Sequence, residues 1–149
     1  MRIIIENIDP NSMKPLGYTQ LPSFSAEFSS PVVKAVARFV PASGNARGCS
    51  GESFDVEIDQ ERVSGLERVE HDSPSESVVA LPEPGAFRIH GTVTSIVPIA
   101  EPPGNSVVTV LARGAAFTLS GGELAGKLLS LGERVAFTVH EVSLWDEAI

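Results

Sequence analysis

The sequence predicts a mainly β protein, a single barrel or sandwich-like domain over residues 1–149. Between 11 prolines and 13 glycines, the apolar side chains recur mostly at every second position, which is typical of many short strands. With 149 residues and 42% hydrophobic content, the chain can bury the core of one ordinary domain.

The first half of the chain contains three predicted strands, at residues 2–8, 32–40 and 53–59. The last of these, SFDVEID, is the clearest, because its apolar and acidic residues alternate strictly. Residues 41–51 are rich in turn formers and join the second and third strands, which favours an antiparallel hairpin with a long flexible tip. We therefore expect residues 1–70 to form an N-terminal hairpin layer.

The second half begins after a connecting segment, residues 71–85, whose polar start at 71–77 indicates an exposed loop or linker. Strands are predicted at 87–97, 106–112, 115–119 and 133–145, with a turn at 101–105. Gly91 lies near the middle of the first of these strands, where glycine suits a bend or a bulge.

One short helix is predicted between the last two strands. Ser120 and Glu123 have the spacing of a capping box, and Gly132 stands where a left-handed C-terminal cap belongs. Three leucines recur at helical spacing and define its buried face, namely Leu124, Leu128 and Leu131.

The order strand, strand, strand, helix, strand over roughly residues 86–145 resembles the first four strands and connecting helix of an OB-fold barrel. That resemblance implies a closed five-stranded Greek-key barrel. Its closing strand would have to come from the N-terminal half. We therefore describe residues 86–149 as OB-like in element order.

A polar pair, His140 and Glu141, interrupts the last predicted strand. Apolar residues alternate from Val135 and then resume in the opposite phase at Val142 and Leu144, as they would if one residue were inserted. The pattern favours a β-bulge over an acid–base pair, since catalysis also needs an orienting group and a reacting partner.

The charge balance limits the possible partners. The net charge is −8, with 19 acidic and 11 basic residues, and both halves of the chain are acidic. Phosphate neutralisation by Lys and Arg supplies most non-specific nucleic-acid affinity, so we expect no binding to duplex nucleic acid. A basic partner is favoured instead.

No metal or cofactor site is predicted. His71, His90 and His140 lack the local spacing of zinc ligands, and alternate acids on a strand lie too far apart to share one Ca²⁺ ion. The glycines of the 41–51 loop lack the lysine and following helix of a phosphate-binding loop.

The single cysteine, Cys49, excludes an internal disulfide and fits a reducing compartment. Arg47 would favour its thiolate, but no histidine base is near in sequence, so we interpret Cys49 as a merely exposed thiol. The apolar runs are too short for a signal peptide or a membrane span. We expect a soluble, cytoplasmic protein without membrane association.

The absence of a catalytic constellation predicts a non-enzymatic binding protein. Its expected contact residues are Asp55, Glu57 and Asp59, which would face a basic protein partner from one row on the strand at 53–59. In composition the chain is similar to bacterial immunity proteins against nuclease toxins, which are acidic and compact. The alternative is an OB-like module that binds a small molecule or oligosaccharide through the strands at 87–97 and 106–112. An enzyme, the third possibility, would need a site assembled from distant residues.

Overall fold

The computed structural model describes residues 1–17, 19–70, 75–99 and 105–149. His71 and most of the predicted turn at 101–105 lie outside these residues. The predicted all-β class is confirmed, because the described residues form twelve strands and one 3₁₀ turn at Gly121–Leu124. The strands are β1 (Arg2–Ile8), β2 (Lys14–Leu16), β3 (Leu21–Ser29), β4 (Lys34–Val40), β5 (Ser53–Asp59), β6 (Arg62–Arg68), β7 (Ser77–Ala80), β8 (Phe87–Ile99), β9 (Asn105–Ala112), β10 (Ala115–Ser120), β11 (Arg134–His140) and β12 (Ser143–Asp146).

The first sheet closes into a five-stranded barrel. Its strands follow the order β1-β5-β12-β4-β3, and β3 pairs back onto β1, while β2 extends from β3. β12 runs parallel to β4 and antiparallel to β5. Closure leaves these five strands without an open sheet edge, which is the usual way a barrel avoids edge-to-edge pairing.

The predicted hairpin between the strands at 32–40 and 53–59 is wrong. β12 lies between them, with Leu144 paired to Phe39 on one side and to Ile58 on the other. Nor is the joining loop a flexible tip, because Ala46 and Cys49 are buried in the core. The loop is held against the barrel by its own apolar side chains, which the composition of turn formers concealed.

The second sheet has the order β10-β9-β8-β11-β6, and β7 pairs with the first residues of β8. β6 comes from the first half of the chain and β12, in the barrel, from the second, so each predicted sub-unit gives one strand to the other's sheet. In the described residues no ladder joins β10 to β6. The closed barrel is therefore the N-terminal sheet and not the predicted OB-like half.

Gly91 is a point of close approach within the second sheet. A Cβ atom at this position would lie 2.6 Å from the Leu111 carbonyl oxygen and 2.6 Å from Val110 Cγ1. The register shift between β8 and β9 falls slightly later, between Val93 and Ser95. The predicted irregularity therefore exists, but its bulge is displaced from the glycine.

The predicted helix is wrong apart from its first turn. The Ser120 N–H donates to Glu123 Oε1 (3.1 Å), as expected for a capping box. The chain then leaves the helical path at Ala125, whose φ is +51°, and at Gly126, whose φ is +72°. Glycine inside a helix costs about 1 kcal/mol relative to alanine, and this short segment contains several.

The leucines of that segment do not share a buried face. Leu124 is buried, whereas the side chains of Leu128 and Leu131 are 81% and 67% exposed. Helical spacing predicts one apolar face for the three leucines, but the backbone is not helical beyond Leu124, so that face does not exist.

His140 and Glu141 form a joint between sheets. β11 ends at His140 in the second sheet, Glu141 adopts a left-handed φ of +52°, and the chain continues into the barrel as β12. The reversal of phase thus marks a strand changing sheets, and the predicted bulge within one strand is wrong.

The two sheets share one hydrophobic core. The rings of Phe28 in β3 and Phe87 in β8 lie 6.5 Å apart. Backbone bonds reinforce the junction, since Gly85 N–H donates to the Val36 oxygen (2.9 Å) and Val142 N–H donates to the Gly85 oxygen (3.0 Å). Among the described residues, no helix is long and apolar enough to cross a bilayer.

Candidate functional site

The acidic row of β5 faces solvent as its alternation predicts. Asp55, Glu57 and Asp59 are exposed, and the apolar residues between them are turned inward, with Val56 buried and its two neighbours half-buried. Because β5 is held between β1 and β12, the row stands on a rigid support.

Asp55 already has a partner in its own chain. Arg2 Nη1 lies 3.0 Å from Asp55 Oδ2, and both side chains are largely exposed. Within the described parts of the chain, neither Glu57 nor Asp59 forms an ion pair. The three acids are therefore not equivalent, and the negative charge available to a partner is concentrated on the last two.

Trp145 stands beside the acidic row, a neighbour that sequence reasoning missed. In the register of β12 with β5, Trp145 is directly opposite Glu57, and opposite residues in an antiparallel pair lie on the same face. The indole Nε1–H donates to Ser143 Oγ (2.8 Å), which fixes the ring. The chain's single tryptophan and an unpaired carboxylate thus form one surface.

This surface lines a cleft of about 200 Å³, which we call the Trp145 cleft; its walls are Glu57, Trp145, Asp146, Glu147 and Ile149. The carboxylate of Asp146 already accepts hydrogen bonds from the backbone N–H groups of Ala42 (3.1 Å) and Ala148 (3.0 Å). The carboxylates of Glu57 and Glu147 are the ones available to a ligand in this cleft. Carboxylates beside an indole ring suit a Lys or Arg side chain, which can pair with the acids and stack on the ring.

A larger groove of about 440 Å³ runs between β5 and β10, and we call it the edge groove. Glu57 and Glu147 line it as well, so it is adjacent to the Trp145 cleft. Its other walls are Met1, Val56, Ile58, Thr109, Gly114, Ala116 and Thr118.

A third cleft, of about 170 Å³, lies at the junction of the two sheets and contains Arg38. Its guanidinium donates to the backbone oxygens of Ser12 and Ser23 (both 2.7 Å) and to Ser23 Oγ (3.0 Å). Burial lowers the pKa of Arg38. These bonds tie the segment before β2 to the barrel, and the cleft's charges are balanced between Lys14, Arg38 and two glutamates.

His140 has a polar partner that its sequence neighbours did not reveal. Its Nε2 lies 2.7 Å from Ser64 Oγ in β6. A nucleophile and base of this kind also need a group that orients the other ring nitrogen. His140 Nδ1 has no hydrogen-bond partner among the described residues. Among the residues that the structure describes, the pair therefore has no third member that would complete a catalytic arrangement.

No metal centre is assembled in the described ranges, where no three His, Cys, Asp or Glu side chains converge. Cys49 is buried, with 4% of its surface exposed, so the interpretation of an exposed thiol is wrong. Burial and the nearby Asp146 raise the pKa of the Cys49 thiol, which opposes the thiolate that Arg47 was expected to favour.

Comparison of the chain with protein-family models, with curated proteins and with solved structures gives no match.

Proposed function

We propose that this protein binds a basic protein partner and does not catalyse a reaction. The contact surface comprises Glu57 and Asp59 of the predicted row, together with Glu147 and Trp145. The observation that carries the proposal is the position of Trp145 directly opposite Glu57, which forms no ion pair within the described chain. A Lys or Arg side chain of the partner could pair with the Glu57 carboxylate and stack on the Trp145 ring at the same time.

The net charge of −8 supports the same proposal at longer range. An acidic protein attracts a basic one before contact and thereby raises the association rate. Such a protein would shield or neutralise its partner, in the manner of the immunity proteins that its composition resembles. The cytoplasmic location expected from the sequence belongs to this proposal.

The alternative, a small-molecule or oligosaccharide module on the strands β8 and β9, has less support. Of that face, Thr109 alone among the described residues lines the edge groove.

The test begins with capture of partners from native cytoplasm by the wild-type protein and by a Glu57→Gln/Glu147→Gln variant. Asp55→Asn is the control for removing an exposed carboxylate from the same row, because Arg2 already neutralises Asp55. We expect a basic protein to be retained by the wild type and by Asp55→Asn, and lost from the double variant.

Rapid-mixing kinetics with that partner provide the decisive measurement. Raising the salt from about 50 to 500 mM shortens the Debye length from about 14 to 4 Å, so the association rate should fall far more than the dissociation rate rises. Trp145→Leu should instead raise the dissociation rate, by about tenfold if the ring is a hot spot. An association rate that ignores both salt and the double substitution would contradict the proposal.

A further inference from the structure

We propose that the edge groove receives an extended basic segment of the partner, which adds a strand to the free edge of β10 at Ala116. This inference rests on the proposed function and specifies the form of the partner. It requires a free strand edge, room beside it and a charge that selects the occupant.

The free edge is defined by the bonds on either side of Ala116. Among the described strands, β10 is the terminal strand of its sheet and pairs only with β9. The Thr118 oxygen accepts a bond from Gln60 Nε2 (2.7 Å), and the Ser120 N–H donates to Glu123, so the backbone groups of these residues point away from β9.

Backbone direction alternates along a strand, so Ala116, two residues before Thr118, presents its N–H and C=O to the same side. In the described residues neither group bonds outside its own sheet. Ala116 therefore offers one donor and one acceptor to the groove that it lines.

The opposite wall of the groove is β5, where the backbone N–H and C=O of Ile58 also point into the groove. The Val56 N–H donates to the Met1 oxygen (2.8 Å), on the side of β5 away from β12. The backbone groups of Ile58 point to that side too, but the pairing of β1 with β5 does not extend as far as Ile58. Gln60 closes one end of the groove by bridging to β10. The volume of about 440 Å³ is within the range of ligand sites, about 300–1,000 Å³.

Charge selects the occupant. Glu57 and Glu147 line the β5 side of the groove, and against them stands the Met1 amine, which already donates to the Val56 oxygen (3.1 Å). A strand paired with Ala116 would direct alternate side chains to one face, so Lys or Arg at every second position could meet these acids. A second copy of this chain is disfavoured, because it would bring acid against acid.

The experiment uses a capped synthetic peptide with lysine and valine at alternate positions, and the same peptide with glutamate in place of lysine. Titration calorimetry measures affinity for the wild type, for Ala116→Pro and for Ala116→Val. Proline removes the free-edge N–H, which does not serve the ladder to β9; valine adds bulk but keeps the donor.

We expect the lysine peptide to bind and the glutamate peptide not to bind. Ala116→Pro should weaken the lysine peptide about tenfold or more, as for the loss of an anchoring hydrogen bond, whereas Ala116→Val should retain most of the affinity. Amide hydrogen exchange at Ala116 should slow when the lysine peptide is bound. If Ala116→Pro does not fold, N-methylation of alternate peptide amides removes the reciprocal bonds, which the peptide N–H groups would donate to the Ala116 oxygen, and leaves the protein unchanged.

The outcomes separate the two proposals. If the lysine peptide does not bind, or binds with equal affinity to both variants and without protection of Ala116, strand addition is wrong. The acidic-surface proposal then still depends on the salt dependence of the native partner. If sedimentation shows a dimer that Ala116→Pro dissociates, the groove pairs two copies of this chain and the inference is overturned.

Discussion

The barrel and the second sheet are built from similar strands, but among the described strands the barrel has no open edge strand and the second sheet has one at β10. The barrel closes because β3 returns to β1 and because β12 fills the space between β4 and β5. The second sheet ends at β10, where Ala116 leaves backbone groups unpaired in the described chain. Closure of the barrel therefore depends on the placement of one strand, β12, and we propose the open edge at Ala116 as the place where the main chain of a partner binds.

The largest effect should come from truncating one core leucine in each sheet. Leu144 in the barrel and Leu119 in the second sheet are 2% and 0% exposed. Each change to alanine should lower the free energy of unfolding by about 2–5 kcal/mol. Because the core is shared, urea unfolding should remain one transition in both variants, whether followed by Trp145 fluorescence or by circular dichroism.

Two sheets that unfold independently would give a different result. Trp145 lies in the barrel, so independence would leave its fluorescence transition unmoved by Leu119→Ala while the circular dichroism transition split. Leu128→Ala serves as the surface control, since that side chain is 81% exposed.

A smaller effect is expected at the closest packing point of the second sheet. Gly91→Ala would force a Cβ against the Leu111 oxygen and Val110 Cγ1, each at 2.6 Å, and should destabilise the protein by about 1–3 kcal/mol. Gly122→Ala is the matched control, because nothing lies within 4 Å of its added Cβ. Thermal unfolding measures both, and equal melting temperatures would show that β8 and β9 can separate without cost.

The smallest effect concerns Glu76, which precedes β7 and bridges β8 to the β9–β10 turn. The Arg113 N–H (2.8 Å) and the Thr92 hydroxyl (2.7 Å) donate to its carboxylate, and these bonds, the first above all, lower the pKa of Glu76 below its ordinary value of 4.5. A carboxylate whose pKa is lowered by folding stabilises the protein above its unfolded pKa, and this contribution is lost as the pH falls through the folded pKa.

We therefore expect Glu76→Gln to lower the free energy of unfolding at pH 7 by about 0.5–1 kcal/mol, a value reduced by solvent screening. The difference from the wild type should shrink below about pH 4. Urea titrations across pH measure it, with Glu83→Gln as an exposed control. A difference that stays constant with pH would assign the loss to packing.

The sequence predicts features that depend on neighbouring residues, and it does not predict strand pairings between distant residues. The alternation of β5 is local, and its exposed acids and inward apolar residues lie as predicted. The insertion of β12 between β4 and β5 depends on pairings across about a hundred residues. Sequence periodicity contains no information about such pairings. The wrongly predicted helix shows the opposite limit, since leucine spacing predicts a helix but the chain leaves the helical path after one turn, at Ala125 and Gly126.

The candidate site was predictable only in part for the same reason. Glu57 and Asp59 could be identified from one strand, but Arg2, which neutralises Asp55, and Trp145, which faces Glu57, come from other strands. Their positions follow from register, which is fixed by the assembled sheet. Cys49 was misjudged because turn formers suggested exposure, whereas the loop packs its apolar side chains inward.

The place of β12 in the barrel also bears on how the protein is made. The ribosome synthesises β4 and β5 long before residue 146, and until then their shared neighbour does not exist. The barrel therefore cannot close before β12 has been synthesised, and until then the chain exposes unpaired strands of the kind that aggregate or recruit chaperones. Contacts between residues so far apart in the chain also predict slow folding once synthesis is complete.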